Sequence, residues 1–167
     1  MSEETEWLEG VDGDFLVNKA VLRVMPVGSK VLVAERYGTS AWTKTGKITV
    51  RLPDNEEKRF FIKCITGKGA RALAEGEYHS ATAMCAAAPG LVPEPVGWGT
   101  YLADSRDCFF YLGEYRDLDL AAAPDPSAFG ARVAEFHGNG TSPNGMFGFP
   151  VPTTIGIMER TVTWDAS

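Results

Sequence analysis

The stretch Phe60-Phe61-Ile62-Lys63-Cys64-Ile65-Thr66-Gly67-Lys68-Gly69-Ala70-Arg71-Ala72-Leu73-Ala74-Glu75-Gly76-Glu77-Tyr78-His79-Ser80-Ala81-Thr82-Ala83-Met84 decides how this chain is read. Its first six residues are mostly aromatic or β-branched and read as a strand. From Gly69 an Ala-rich run reads as a helix, 69–87, that ends before Pro89-Gly90. Alternate residues of a strand share a face, so Lys63 lies with Phe61 and Ile65. Residues three and four apart share a helix face, so Glu77 lies on the stripe of Leu73, Ala81 and Met84. Either charge is costly to bury alone and tolerable when paired, so the pattern predicts a Lys63–Glu77 pair bridging strand and helix. Glu75, two positions from Glu77, points off that face.

Working outward, Val31 to Tyr37 reads as a strand that stops at Gly38, and 47–52 as a second, alternating one. Pro53-Asp54-Asn55-Glu56 turns the chain into the Phe60–Ile65 strand. Beyond the helix, Val96 to Tyr101 and Cys108 to Leu112 read as two more strands, completing a sheet of about five. Ala121 to Pro126 is a linker, and Pro126 to His137 is helical, with Phe129, Val133 and Phe136 on one stripe. Strands, helix, strands, linker and helix make an α+β pattern. Residues 1–27 read as an N-terminal lead-in, loose and acidic over 1–13 and mixed and ambiguous over Asp14 to Arg23; 28–116 reads as one lobe, and 117–167 as a linker with the start of a second, helical lobe. From Gly138 onward Gly, Asn, Pro and Thr dominate, leaving little to pack.

Composition narrows the function classes. With 16 Lys and Arg against 22 Asp and Glu, the net charge is −6 and there is no basic stripe, which argues against nucleic-acid or anionic-membrane partners. No apolar run reaches the roughly 18 residues of a membrane span, and the acidic start is unlike a targeting peptide. Cys64, Cys85 and Cys108 are far apart and set among apolar residues, as expected of reduced, core-packed thiols in a cytoplasmic protein. The sequon Asn139-Gly140-Thr141 carries little weight without a signal peptide.

Two phosphate-binding motifs fail on inspection. Gly38-Thr39-Ser40-Ala41-Trp42-Thr43-Lys44-Thr45 approximates a Walker A loop, but Thr43 stands where the second glycine belongs and a strand follows. What remains is a turn of small residues between two strands: a flap over phosphates, or an ordinary hairpin. Gly67-Lys68-Gly69-Ala70-Arg71-Ala72 has the glycine spacing of a dinucleotide loop, yet no suitable parallel strand follows the helix. His79 and His137 have no partner at metal-ligand spacing and read as structural, and no Ser/His/Asp or H-E-x-x-H set occurs. The Lys63–Glu77 pair stays open between a structural ion pair and the lysine–glutamate pair that protein-kinase-like sites use to hold ATP phosphates. Phe109 to Tyr115 is either an edge strand leaving the sheet or the hinge whose backbone meets an adenine.

The order of parts resembles the fructosamine (ketosamine) kinase family, relatives of aminoglycoside and choline kinases with a protein-kinase-like fold. The matching stretches are Phe61-Ile62-Lys63, Glu75-Gly76-Glu77-Tyr78, Pro93-Glu94-Pro95-Val96, Phe110 to Tyr115, Ala134-Glu135-Phe136-His137, and Ser142-Pro143-Asn144-Gly145-Met146-Phe147-Gly148-Phe149 followed by Trp164. The resemblance covers about residues 28–165. The resemblance implies a kinase-like N-terminal lobe, with ATP and Mg²⁺ as cofactors and phosphorylation of the sugar O3 of ketosamines on glycated proteins. It implies that Lys63 holds phosphates, Glu77 orients it, Gly38, Thr39 and Ser40 cover the phosphates, and Gly113, Glu114 and Tyr115 line the adenine pocket. The family's catalytic His-Gly-Asp-Leu-Trp-type loop and metal-binding Asp-Pro-Ala-type strand have no counterpart in the sequence. The chain is therefore expected to be the N-terminal portion of such an enzyme, inactive alone, with an exposed lobe face available for association. The alternatives are a stand-alone nucleotide-binding or regulatory module and a kinase acting on aminoglycosides or choline.

Overall fold

The computed structural model describes residues 7–101, 108–119, 121–156, 158–160 and 162–166. The first six residues of the acidic lead-in lie outside them. Five strands form one antiparallel sheet: β1 (Lys30–Arg36), β2 (Thr43–Arg51), β3 (Glu57–Thr66), β4 (Pro95–Thr100) and β5 (Cys108–Glu114), in the order β1-β2-β3-β5-β4. Helix α1 (Ala70–Ala87) joins β3 to β4, and α2 (Pro126–Asn139) follows β5. A two-stranded hairpin, β6 (Thr153–Ile155) and β7 (Met158–Arg160), comes last. The α+β, kinase-like lobe expected from the sequence is the fold observed.

The central strand β3 alternates as its sequence dictates. Phe60, Ile62 and Cys64 are buried on one face, while Phe61, Lys63 and Ile65 turn to the other. The helix side is thin: Ile65, Ala70, Leu73 and Ala74 form a small cluster with Trp98 and Phe109. The larger core lies on the opposite face, where Ile48, Val50, Ile62, Phe110 and Leu112 pack against Val17, Val21 and Met25.

Those last three residues settle the ambiguous stretch after Asp14 as core, and the residues before it correct the expectation of a loose lead-in. Trp7, Leu8, Val11 and Phe15 also pack on this core, and Asn18, fully buried, caps a 3₁₀ turn (Lys19–Arg23). The Asp12 N–H donates to Leu32 O at 3.1 Å and the Ala34 N–H to Asp12 O at 2.8 Å, so the segment also pairs with the exposed edge of β1. Its alternation of acidic and apolar residues resembles solvated chain, and only the second face of the sheet gives the apolar ones a partner.

Strand boundaries also differ, for one reason. β2 begins at Thr43 rather than 47 because polar Thr43-Lys44-Thr45 pairs with the apolar end of β3, in the register Thr43↔Ile65. β3 begins at Glu57, steadied by the cross-strand Arg51–Glu57 pair at 3.1 Å, and β5 runs on through Gly113 and Glu114. Partner strands, not side-chain polarity, set these ends. Thr43 stands within a strand, as the rejection of Walker A requires, and β4 pairs antiparallel with β5, so the glycines at 67 and 69 lead into no parallel crossover. Among the described residues no helix is long and apolar enough to cross a membrane.

Cys64 and Cys108 are buried in the larger core and Cys85 is half-buried; all are free thiols. Burial pushes the Cys64 thiol up to about 12. Below pH ~9 this thiol is protonated in both states; between ~9 and ~12 only the native state keeps the proton, so the stability it contributes is lost as pH rises. Denaturant titrations at pH 8, 9 and 10 should show stability falling above pH ~9, with a shallower fall in Cys64→Ala. Equal slopes would show that Cys64 is not the group concerned. Deleting residues 1–27 would uncover Ile48, Ile62, Phe110 and Leu112, so the truncated chain should lose its cooperative thermal transition. A dispensable lead-in would leave the transition where it was.

Candidate active-site cleft

Lys63 leaves the middle of β3 toward α1, directly across the ladder from Tyr111 of β5. Glu77 leaves α1 one turn after Leu73, which anchors that helix face in the core. The two meet as predicted: Lys63 Nζ donates to Glu77 Oε1 at 2.7 Å and Oε2 at 2.8 Å. Their side chains keep 23% and 32% of their exposure, so the pair stands at a rim with its tips reaching open space. Glu75 pairs instead with Arg71 one turn away, at 3.4 Å.

The rim divides two cavities of about 410 Å³ each. Glu77 borders both. The first is lined by hydroxyls, from Thr39, Ser40, Thr43 and Thr45 on the β1–β2 turn and the start of β2 and Thr154 on β6, together with Lys63 and the indole of Trp42. One fixed cation and several neutral donors suit an anion such as phosphate. Gly38 stands at the entry to this turn with φ +74°, and Thr45 Oγ1 donates to Tyr37 O across its base. Thr39 and Ser40 thus reach the lysine's cavity, while Gly38 shapes the loop without lining it.

The second cavity is apolar and aromatic, lined by Tyr37, Phe61, Met84, Tyr111 and Tyr115 with Gly113 and Glu114 at its edge. Tyr37 meets Tyr115 edge-on at 5.2 Å and Phe61 at 6.4 Å. Its hydrogen bond to Tyr37, ahead of desolvation, pushes the Tyr115 phenol up to about 12, so that ring stays neutral across the physiological range. Burial, with Glu77 nearby, also raises Tyr111. A Cβ on Gly113 would stand 2.8 Å from the Tyr111 phenol oxygen, so the glycine is what lets that ring lie along the wall.

Around the expected hinge, the sequence reading left backbone N–H groups free to meet a base. Two are already engaged: Glu114 donates to Glu94 O at 2.8 Å and Tyr115 to Arg59 O at 3.3 Å. The Glu114 carboxylate accepts from Glu94 N at 3.1 Å and Arg116 Nε at 3.0 Å, which ties the strand to the Pro93-Glu94-Pro95 turn. Gly113, Glu114 and Tyr115 do border one cavity; the surfaces that define its shape are the rings of Tyr37, Phe61 and Tyr111, which sequence reasoning did not single out. Trp42, Thr154 and Gly156 were missed too. His79 stacks edge-on with Tyr78 at 5.4 Å, His137 lies against Phe136 at 5.7 Å, and neither lines the two cavities. Among the described residues no group of three or more His, Cys, Asp or Glu could hold a metal ion.

Residues of the C-terminal third pack into one further unit. The Phe147 N–H donates to Asp165 O and the Asp165 N–H to Phe147 O, both at 2.7 Å, while a Cβ on Gly148 would meet the Trp164 ring at 2.8 Å. Phe147-Gly148-Phe149 and Trp164, matched separately in the sequence, are thus one contact.

The family model for fructosamine kinase matches residues 34–167. No curated protein gives a significant match. Among solved structures, one assigned as a fructosamine-3-kinase from Thermobifida fusca superposes with a TM-score of 0.60 at 24% identity, over 90% of this chain and 48% of that one. Another so assigned, from Haemophilus somnus 129PT, superposes at 0.55 with 15% identity, over 83% and 43%. The chain spans less than half the length of either.

The rim position of the ion pair sets its energetic weight. A surface pair contributes up to about 1 kcal/mol, whereas breaking a deeply buried one costs about 3–5 kcal/mol. Glu77→Gln should therefore lower unfolding free energy by about 1 kcal/mol in urea titrations. A loss of several kcal/mol would identify a buried structural pair instead.

Proposed function

The chain belongs to the fructosamine kinase family, and from that premise we propose that the cleft holds ATP, with the adenosine in the aromatic cavity and the phosphates at Lys63. The observation that carries this is the two-pronged Lys63–Glu77 pair at the junction of an apolar cavity and a hydroxyl-lined one. A nucleotide has the same two halves, a flat apolar base and a polyanion. Glu77 holds the ammonium at the junction, and the β1–β2 turn supplies hydroxyls beside it. The residues present fit ATP in this sense. They do not fit a protein-built magnesium site, since the described residues supply no group of three or more His, Cys, Asp or Glu that could hold the ion.

The activity we infer for the family reaction is transfer of the ATP γ-phosphoryl group to the O3 hydroxyl of a ketosamine, free or on a glycated protein. Phosphoryl transfer needs a group that positions the acceptor hydroxyl and ligands that hold the metal. Neither the catalytic loop nor the metal-binding strand of the family occurs among these 167 residues. These residues therefore supply nucleotide holding, and transfer depends on groups outside them. The hydroxyl-lined end of the cleft is where a ketosamine would meet the terminal phosphate.

Titration calorimetry with ATP and adenosine tests this reading. ATP should saturate the chain at one site, and Lys63→Ala should weaken ATP by about 10- to 100-fold, the weight of a charge-assisted contact, while changing adenosine much less. Failure of ATP and adenosine alike to bind would overturn the assignment of the cleft. Incubation with ATP and a fructosyl-lysine peptide should give no phosphorylated sugar, and phosphorylation by the pure chain would show that the catalytic groups are present.

A further inference from the structure

The hairpin β6–β7 is the element least explained by packing. None of its described residues is buried, and Ile155 and Met158 are 56% and 67% exposed. A two-stranded hairpin is marginal by itself, so its place must come from what it touches. Among the described residues two contacts place it, and both lie beside the cavity that Lys63 lines.

The first is α1. Gly76 lies inside this helix, where glycine is a poor helix former. A Cβ there would stand 2.7 Å from Pro152 O and 3.4 Å from Thr153 Cα. The missing side chain lets the start of the hairpin lie against the helix, one residue before Glu77. The second contact is Trp42. Gly156, at the hairpin tip with φ +59°, faces the benzo edge of the indole, which would be 3.7 Å from a Cβ. Trp42 is 54% exposed and has its own place in the wall of the hydroxyl-lined cavity. Held at these two points, the hairpin puts Thr154 into that cavity beside Lys63 and Glu77.

We propose that the hairpin is a clamp on the nucleotide's polyphosphate, with Thr154 donating its hydroxyl to a phosphate oxygen and Trp42 acting as the seat on which the tip closes. Thr154 is the binding residue; Gly76 and Trp42 are positioning residues that act through it. The inference rests on the adenine-nucleotide reading of the cleft. It adds a third wall, on a segment more than a hundred residues from the β1–β2 turn, to a site that strand β3 and helix α1 already define. A weakly packed element suits this duty, because regions that close on ligands come from the low-stability end of a fold.

Equilibrium binding of ATP, ADP and adenosine to the full chain and to Thr154→Val, Gly76→Ala and Trp42→Phe separates the two claims. Valine keeps the shape and removes the hydroxyl, so Thr154→Val should weaken ATP and ADP by about tenfold, the weight of one hydrogen bond to a charged group, and leave adenosine within about twofold. Gly76→Ala, which pushes the hairpin off the helix, should show the same pattern. Trp emission should change when ATP is added and not when adenosine is added, and the change should vanish in Trp42→Phe. If the unaltered chain binds ATP and all three variants match it, the clamp is wrong and the nucleotide site stands. If the unaltered chain binds neither ATP nor adenosine, both fall together.

Discussion

A strand at the centre of a sheet has two faces, and β3 needs a different cover for each. Its even-numbered residues, Phe60, Ile62 and Cys64, are fully apolar and call for a thick core. Its odd-numbered residues, Phe61, Lys63 and Ile65, mix apolar bulk with a charge that cannot be sealed in. The first face is closed by residues 7–25 and the second only in part, by α1. The rest of the architecture follows from this asymmetry. One side of the sheet is built for stability and the other is left open enough to bind.

The charge pair marks the limit of how far the open side can close. Leu73 and Ala74 bury the first half of α1 against Ile65, and one turn later the helix meets Lys63 with Glu77 instead of another apolar residue. A leucine at 77 would extend the small cluster and leave the lysine unpaired. The glutamate keeps the ammonium fixed and partly wet, a state in which a stronger anion can share it. The same helix also needs Gly76, whose cost in helix propensity is about 1 kcal/mol, because the chain at Pro152 passes too close for any side chain. Two adjacent positions of α1 thus give up local stability for what they allow at the cleft.

Legibility in the sequence followed periodicity. Five strands and two helices could be read because their apolar residues recur at two or at three to four, and Lys63 and Glu77 stood out as charges interrupting those patterns. The start of the lead-in was misread as loose, and Asp14 to Arg23 was ambiguous, because Val11, Phe15, Val17 and Val21 sit among Asp and Asn, and only the far face of a sheet formed later in the chain reveals their partner. The early start of β2 was hidden by Thr43-Lys44-Thr45, which are strand because β3 pairs with them. Of the cleft, the cation, its carboxylate and the turn residues Thr39 and Ser40 in its wall were legible. The aromatic wall was not, because Tyr37, Phe61 and Tyr111 come from just past β1, from β3 and from β5 and line one cavity only after the sheet forms. Thr154 was hidden for the same reason at longer range.

The open side also bears on α2. Its expected stripe is real in spacing but weak in burial: Val133 and Phe136 are half-buried and Phe129 is 51% exposed. The helix is held to the end of α1 mainly by polar ties, with Arg132 donating to Pro89 O and Asn139 Nδ2 to Ala87 O at 3.0 Å. These bonds satisfy carbonyls at and just past the last turn of α1, which otherwise lack partners. They fix where the second helix begins without burying it. The sheet and α1 are thus organised by apolar contact, and the described residues beyond Leu118 are attached to them mainly by hydrogen bonds and glycine contacts. That division explains why the half of the cleft built by the sheet and α1 is well formed while the segments that approach it from the other side, β6 above all, are held only at points.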